Sequence, residues 1–350
     1  MDKPNVINYI GTDYLSEVLK IEVVSFEIEA IGQSTTTDAS DARILRIHVD
    51  TKEEGKVKLI AKRTTEDWGR REFILYQEIL SQSKIPVPQL YDFIYEETTG
   101  YYWLLMEEAG EPFECGQVVI KNWIPWTDQI FELLALIHTE FVGDETLPTR
   151  YSWLAKDHEL GNYPIYPDGY ESKMGFQDKL IREAKYLGLP VVSQEVIDSL
   201  PAAIKIVNRP PYTLCHGDFG PSNISVKNDR LIIYDWELVA WASPARDLGG
   251  IGVRHRIANI DPWLNSYIRA LNRIAQGKFD EKALLLATDS ENLLVMAQCM
   301  LGIINILGES VETNNLNRYS SLYKIFCRWY ERASILVKRR KKEWLKQGSQ

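Results

Sequence analysis

Leu214-Cys215-His216-Gly217-Asp218-Phe219-Gly220-Pro221-Ser222-Asn223-Ile224, followed by Leu231-Ile232-Ile233-Tyr234-Asp235-Trp236-Glu237, is the stretch on which the reading of this chain turns. It spells H-x-D-x-x-x-x-N and then an apolar strand that ends in Asp. Phosphoryl transfer asks for these residue types. One Asp must accept and orient an attacking hydroxyl, while a short Asn and a second Asp hold magnesium against the phosphates. Asp218 and Asn223 stand 5 residues apart on one loop and can face a phosphate from two sides, which makes Asp218 the candidate catalytic residue. Asn223 and Asp235 are the candidate metal ligands. The strand at 231–234 is expected to run antiparallel to the one before the loop, at 213–214, so that a hairpin returns Asp235 beside Asn223. Four fixed residues, His216, Gly217, Asp218 and Asn223, recur by chance in about a few in a thousand chains of this length. The competing reading is an Asp- and Asn-rich turn that only satisfies its own backbone. The strand-plus-Asp that follows weighs against it.

Working outward, the N-terminal third supplies a second set of matching parts. Residues 24–30 alternate apolar with polar, the period of a half-buried strand. Leu45, Ile47 and Val49 mark a second strand, and Val57, Leu59 and Ala61 a third that carries Lys62. Between the first two lies a polar loop, residues 32–40, with a single glycine and many hydroxyls. Such a loop can lay backbone N–H groups and hydroxyls over phosphates, with Ser34 as the candidate contact. From 66 to 81 the period becomes helical, with Phe73, Tyr76 and Leu80 on one face and Glu72 placed 10 residues after Lys62 to pair with it. Ile85-Pro86-Val87-Pro88 ends that helix. Strands are expected at 91–95 and 101–106, and a lobe boundary at 107–112.

After that boundary the pattern is mostly helical. Ile130, Leu134, Ile137 and Phe141 stripe one helix. Residues 293–307 are apolar nearly all round and imply a buried helix, and Leu322, Ile325, Trp329 and Leu336 stripe the last one. The fold class is therefore α+β, with an antiparallel sheet plus helix first and a helical part after it.

These segments together resemble the aminoglycoside phosphotransferase and choline kinase-like family, small-molecule kinases with a protein-kinase-like bilobal fold. The resemblance runs from about residue 20 to 250 and is most specific at His216–Asn223 and Ile233–Glu237. HGDxxxxN, with Gly217 where protein kinases carry Arg, is the form of that family. Lys62 resembles the strand lysine of protein kinases. Leu104-Leu105-Met106-Glu107-Glu108-Ala109 resembles the family's hinge, which implies adenine contacts from backbone groups of Glu107 and Ala109, with Met106 behind the ring. Pro244-Ala245-Arg246-Asp247-Leu248 resembles a segment whose Asp is mainly structural. The division implied is a nucleotide-binding lobe at 1–106, a hinge at 107–112 and a catalytic lobe at 113–350, with acceptor-binding insertions at 142–212 and 255–300. The activity implied is transfer of the γ-phosphoryl group of ATP or GTP, with Mg²⁺, to a hydroxyl of an aminoglycoside or another small molecule. A choline- or sugar-type metabolite kinase, and a kinase-like nucleotide binder without turnover, stand as alternatives.

Two features bear on the acceptor. Asp157, Glu159, Asp168 and Glu171 suit a cationic molecule. Tyr151, Trp153, Tyr163, Tyr166 and Tyr170, with Trp236 and Trp241, suit stacking on a sugar or caging an ammonium. Scattered acids are more often a solvated face, and aromatics more often packing. A protein-substrate kinase is disfavoured, because Gly217 replaces the HRD arginine and only 8 residues separate Asp235 from Pro244.

Composition sets the bounds. The 350 residues suffice for two domains and a sizeable core. A net charge of −9 argues against nucleic acid or an anionic membrane as partner. Cys115, Cys215, Cys299 and Cys327 form no CxxC pair and read as reduced thiols. The N-terminus shows no signal pattern, no stretch is expected to span a membrane, and a cytoplasmic location is the expectation. The basic run Lys338-Arg339-Arg340-Lys341-Lys342 is read as the exposed end of the last helix.

Overall fold

The computed structural model describes residues 10–31, 44–97, 100–115, 118–119, 125–155, 179–249, 251, 261–275, 277–312 and 316–348. The chain forms two compact units, one of residues 1–123 with 221–237, the other of 124–220 with 238–350. The first unit is built on a five-stranded antiparallel sheet in the order β1-β2-β3-β5-β4. Its strands are β1 (Val23–Ile31), β2 (Ile44–Thr51), β3 (Gly55–Thr64), β4 (Leu90–Glu96) and β5 (Tyr101–Glu107). Period-2 alternation sorts each strand between two faces. Leu45, Ile47, Val49, Leu59, Ala61, Trp103 and Leu105 form a buried core with Leu15 of helix α1 (Thr12–Leu19). Each leucine, isoleucine and valine among them contributes about 1.5–3 kcal/mol when taken from water. The alternate positions, Ile60, Lys62, Leu104 and Met106, belong to the opposite face, where register pairs Lys62 with Leu104 and Ile60 with Met106.

Helix α2 (Glu66–Ile74) follows β3 and packs closely against the sheet. A Cβ on Gly69 would lie 2.4 Å from Thr64 Cγ2 and 2.9 Å from Phe93 Cε2. Glycine costs a helix about 1 kcal/mol relative to alanine. Here it permits the close approach that places Glu72, one turn later, over the strand face carrying Lys62. The helical stretch expected over 66–81 is present but irregular: a π-turn runs from Leu75 to Ile79 and a 3₁₀ turn from Leu80 to Gln82.

One pairing differs from expectation. The strand ending before Asp235, β8 (Arg230–Ile233), pairs with β7 (Ile224–Lys227), which follows the loop, through a turn at Asn228 and Asp229 with φ 52° and 56°. The strand before the loop, β6 (Thr213–Cys215), pairs instead with β9 (Ala240–Ala242). A short tight turn closes β8 onto β7, a strand the sequence reading did not identify, so the nearer strand takes the edge expected for the one before the loop. The β7–β8 hairpin is joined to the rest of the first unit by Phe113 N–H to Ile224 O (3.1 Å) and Ile233 N–H to Pro86 O (3.0 Å).

The second unit is mostly helical, with α3 (Thr127–Phe141), α4 (Gln194–Val207), α5 (Asp261–Ile274), α6 (Glu281–Glu312) and α7 (Leu316–Gly348). Leu200 and Ile204 of α4, Leu293, Met300 and Ile304 of α6 and Phe326 and Val337 of α7 share one core. Contrary to the sequence expectation, one segment, Glu281–Leu307 of α6, is long and apolar enough to cross a membrane. Most of its apolar stretch is buried inside the protein, so the core itself accounts for its apolar surface. The basic run does not end its helix either. Arg339 and Arg340 pair with Asp289 of α6 at 2.7 Å, and Lys341 pairs with Glu195 of α4 at 2.7 Å. None of Cys215, Cys299 and Cys327 is in a disulfide.

Candidate active site

In the first unit, three of the expected site residues meet. Lys62 Nζ lies 2.9 Å from Glu72 Oε2 and 2.5 Å from Asp235 Oδ1. A fourth residue, Glu237, approaches the same ammonium at 3.3 Å. Sequence reading missed Glu237 as a site residue, although the alternation Asp235-Trp236-Glu237 is a signal: the intervening Trp236 is fully buried and the two acids flank it. Asp235 adopts φ 66°, a left-handed conformation that Asp tolerates better than most residues. Such strain is held where packing over-determines it, as at functional sites.

The electrostatics follow from burial. Burial alone would lower the Lys62 pKa, but the negative charges of Glu72, Asp235 and Glu237 outweigh it and hold the ammonium well above its usual value. Burial pushes the Glu72 carboxyl up, against the pull of the Lys62 charge. Tyr76, one helical turn past Glu72 and 4% exposed, is driven well above the usual tyrosine value, first by burial and then by the Glu72 charge. Its hydroxyl therefore keeps its proton beside the acids. Three carboxylates around one lysine leave an excess of negative charge. Oxygens of Glu72, Asp235 and Glu237 come within 4.8 Å of one another, and Glu72 Oε1 is buried without a hydrogen-bond partner. That donor set suits a hard divalent cation carried in with phosphates.

Asn223 is buried in the 3₁₀ turn Pro221–Asn223, just before β7, and its carbonyl accepts the Tyr234 N–H at 3.1 Å. At the end of β5, Met106 is buried and Glu107 and Ala109 follow it on the chain. The Ala109 N–H makes no hydrogen bond among the described residues, which fits a base that offers an acceptor. Ser34 and the whole 32–40 loop lie outside the described residues.

In the second unit, the segment before Asp218 is held by its backbone. Asp247 accepts the N–H groups of His216 (2.8 Å) and Gly217 (2.7 Å). Its other contact is His138 Nε2 at 3.0 Å, whose Nδ1 lies 2.6 Å from the Tyr267 hydroxyl. Burial opposes the Asp247 charge, but the hydrogen bond and charge of His138 and the Gly217 N–H overcome it and hold the carboxyl below its ordinary value. Asp247 is thus an ionised peg for the loop, and His138 and Tyr267 are residues that sequence reading did not single out. Their signal was weak, since a lone His or Tyr on an apolar helix face reads as packing. Asp218 is half-buried and its N–H points to His216 Nδ1 at 3.3 Å. Cys215 is fully buried, and burial, then the Asp247 charge, pushes its thiol well above the usual value.

Gly217 has φ 84°, and a Cβ there would fall 1.8 Å from Leu238 O. No side chain fits, which gives a physical reason for glycine between His216 and Asp218. Gly217→Ala is expected to lower stability by about 2 kcal/mol or more, through strained backbone and overpacking. A thermal melt of the variant checks this, and an unchanged midpoint would contradict it.

Among the acceptor candidates, Trp236, Trp241 and Tyr151 are packed inside their units and are not free to stack on a ligand. Their apolar area is worth more in the core than exposed on an insertion. Trp153 is half-buried, with its ring 6.1 Å from that of Tyr151. Asp157, Glu159, Tyr163, Tyr166, Asp168, Tyr170 and Glu171 lie outside the described residues.

The strand order, the Lys62–Glu72 pair and the pegged HGD loop define a small-molecule kinase of protein-kinase-like fold. Residues 36–283 match the model of the phosphotransferase enzyme family, and the chain belongs to that family. Among solved structures it is similar to a candidate aminoglycoside phosphotransferase from Ralstonia eutropha JMP134, at 14% identity and a TM-score of 0.55, covering 94% of this chain and 98% of that one. It is also similar to a macrolide 2′-phosphotransferase from Brachybacterium faecium, at 12% identity and a TM-score of 0.50, covering 92% and 98%. A third is a thermostable mutant of aminoglycoside phosphotransferase APH(4)-Ia in ternary complex with AMP-PNP and hygromycin B, at 12% identity and a TM-score of 0.51, covering 96% and 98%. At these identities the likeness shows the fold alone. A search of the curated proteins finds no match.

Proposed function

We propose that the chain transfers the γ-phosphoryl group of a purine nucleoside triphosphate, with Mg²⁺, to a hydroxyl of a small molecule. The observation that carries this reading is the half-buried Lys62 held between Glu72 and Asp235. Lys62 would position the phosphates and Glu72 would orient Lys62. Asp235 and Asn223 would hold the metal, with Glu237 beside them. These residues would hold a divalent cation, whose chemistry when bound would be neutralisation of phosphate charge. Asp218 would orient the acceptor hydroxyl and take its proton late, since the transition state is loose. The hinge amide of Ala109 and the Met106 side chain would receive the base. Hygromycin B and AMP-PNP, bound in the APH(4)-Ia complex, support a polar, hydroxyl-rich acceptor and a nucleotide donor.

The test is a panel of aminoglycosides, macrolides, choline and sugars, each incubated with nucleoside triphosphate and Mg²⁺, with coupled detection of the diphosphate. Acceptor-dependent release is the expected result. Release that no acceptor stimulates contradicts the transfer reading. The Lys62–Glu72 pair gives a second check. Lys62→Ala should lower kcat/KM for nucleotide by about 100-fold, and Glu72→Ala by less, because Glu72 acts through Lys62. The double variant should be little worse than Lys62→Ala alone. Fully additive losses mean that the pair does not act as one.

A further inference from the structure

We infer that this chain selects adenine over guanine nucleotides, and that Ser225 and Lys227 of β7 determine that choice by occupying the acceptors of the segment that receives the base. The inference rests on the functional reading above, in which residues 107–109 meet the base edge.

Every contact involved lies within the first unit. Two of the three amides of residues 107–109 are spent. Glu107 N–H donates to Gln89 O at 2.8 Å, and Glu108 N–H donates to Lys58 O at 3.2 Å. The Ala109 N–H makes no hydrogen bond among the described residues. The two carbonyls that follow Glu107 are both taken. Lys227 Nζ donates to Glu108 O at 2.8 Å, and the fully buried Ser225 hydroxyl donates to Ala109 O. The side-chain acceptors are taken as well. Glu107 Oε1 pairs with Lys227 at 2.5 Å and Oε2 accepts the Gln89 N–H at 3.2 Å. Glu108 Oε1 pairs with Arg46 at 2.5 Å and Oε2 lies 3.8 Å from Lys58. The backbone has little room to swing away from β7. Gly110 has φ 95°, and its Cβ position lies 3.2 Å from Val226 O.

Beyond Glu107 the segment therefore offers one open donor, and neither carbonyl is free of a hydrogen bond. Adenine presents N1, an acceptor, on its pairing edge. Guanine presents O6, an acceptor, beside N1–H and the N2 amino group, and the last two require acceptors. Either adenine N1 or guanine O6 can accept from the Ala109 amide, but guanine then sets N1–H and the N2 amino group against carbonyls already engaged by Ser225 and Lys227. An unmade hydrogen bond at a buried polar group is worth about tenfold or more in affinity. Ser225 is the deciding residue because its hydroxyl has no other acceptor assigned to it and sits where water cannot replace it.

The experiment measures binding directly, by titration calorimetry of the full chain with Mg²⁺ and non-hydrolysable triphosphate analogues of adenosine, guanosine and inosine. The adenosine analogue should bind about tenfold or more tightly than the guanosine one. The inosine analogue has N1–H but no N2 amino group, and should bind like guanosine. Ser225→Ala, which releases the Ala109 carbonyl, should raise guanosine affinity and narrow the ratio. Lys227→Met, at a more exposed position, should narrow it by releasing the Glu108 carbonyl, and serves where Ser225→Ala does not fold. Equal affinities for the adenosine and guanosine analogues overturn the inference and leave the kinase reading standing. So does an inosine analogue that binds like adenosine, or a folded Ser225→Ala with an unchanged ratio. Binding of none of the three overturns the functional reading together with the inference.

Discussion

Asp218→Asn is expected to melt at the temperature of the parent chain, to bind nucleotide as tightly, and to turn over acceptor about 10²- to 10⁴-fold more slowly. The three parts of that result have separate causes. The segment before Asp218 is held by its backbone, through Asp247 and the His216 and Gly217 N–H groups. Replacing the Asp218 carboxylate with an amide leaves those bonds in place, so the fold should survive. Nucleotide is held by Lys62, Asp235 and the base-edge segment in the proposed mechanism, so its affinity should survive too. What disappears is the group that receives the hydroxyl proton. An amide still contacts a hydroxyl but cannot take its proton. Asp218→Ala should behave alike. If Asp218 were only a turn residue, the melt would drop and kcat would not. A folded variant with parental kcat on an identified acceptor would sink the mechanism.

Asp235→Asn should cost activity on a similar scale, but through a different parameter. The substitution removes one of the three carboxylates around Lys62. Metal-assisted charge stabilisation is worth several kcal/mol in the transition state, or about 10²- to 10⁴-fold in rate. The loss should be partly relieved by raising Mg²⁺, since a weaker site fills at higher concentration. Asp218→Asn should show no such relief, and a Mg²⁺ titration of both variants separates the two roles. Lys62 is left with Glu72 and Glu237 as partners, so the variant should still fold. Parental turnover of Asp235→Asn at low Mg²⁺ contradicts the assignment.

The Lys62 cluster shows how much of this could be read along the chain. Residue types and spacing named Lys62, Glu72 and Asp235, because phosphoryl transfer demands those groups and few other chemistries demand them in that order. Strand alternation placed Lys62 on the face opposite the Leu59 and Ala61 core, since period 2 is a local property of the backbone. The strands β1 to β5 and the helices α2 and α3 were legible for the same reason, whereas α1, β7 and β9 were not read from the sequence. The pairing partner of β8 was not legible, because residues 224–227 were not read as a strand and the short turn at 228–229 closes on them rather than on 213–215. Nor was the return of residues 221–237 to the first unit, which depends on contacts far apart in sequence.

What the order of residues specified was therefore chemistry and local periodicity: an acid, an amide and a lysine of one reaction class, on recognisable strands and loops. Three-dimensional packing specified which groups remain available. It buried Trp236 and Trp241, which composition offered as ligand platforms. It brought Glu237 to Lys62, tied His138 and Tyr267 to the loop before Asp218, and closed the carbonyls of Glu108 and Ala109 with Lys227 and Ser225. Hydrogen-bond partners and burial depend on residues more than a hundred positions apart, and a side chain is satisfied or left open only when the chain has folded around it.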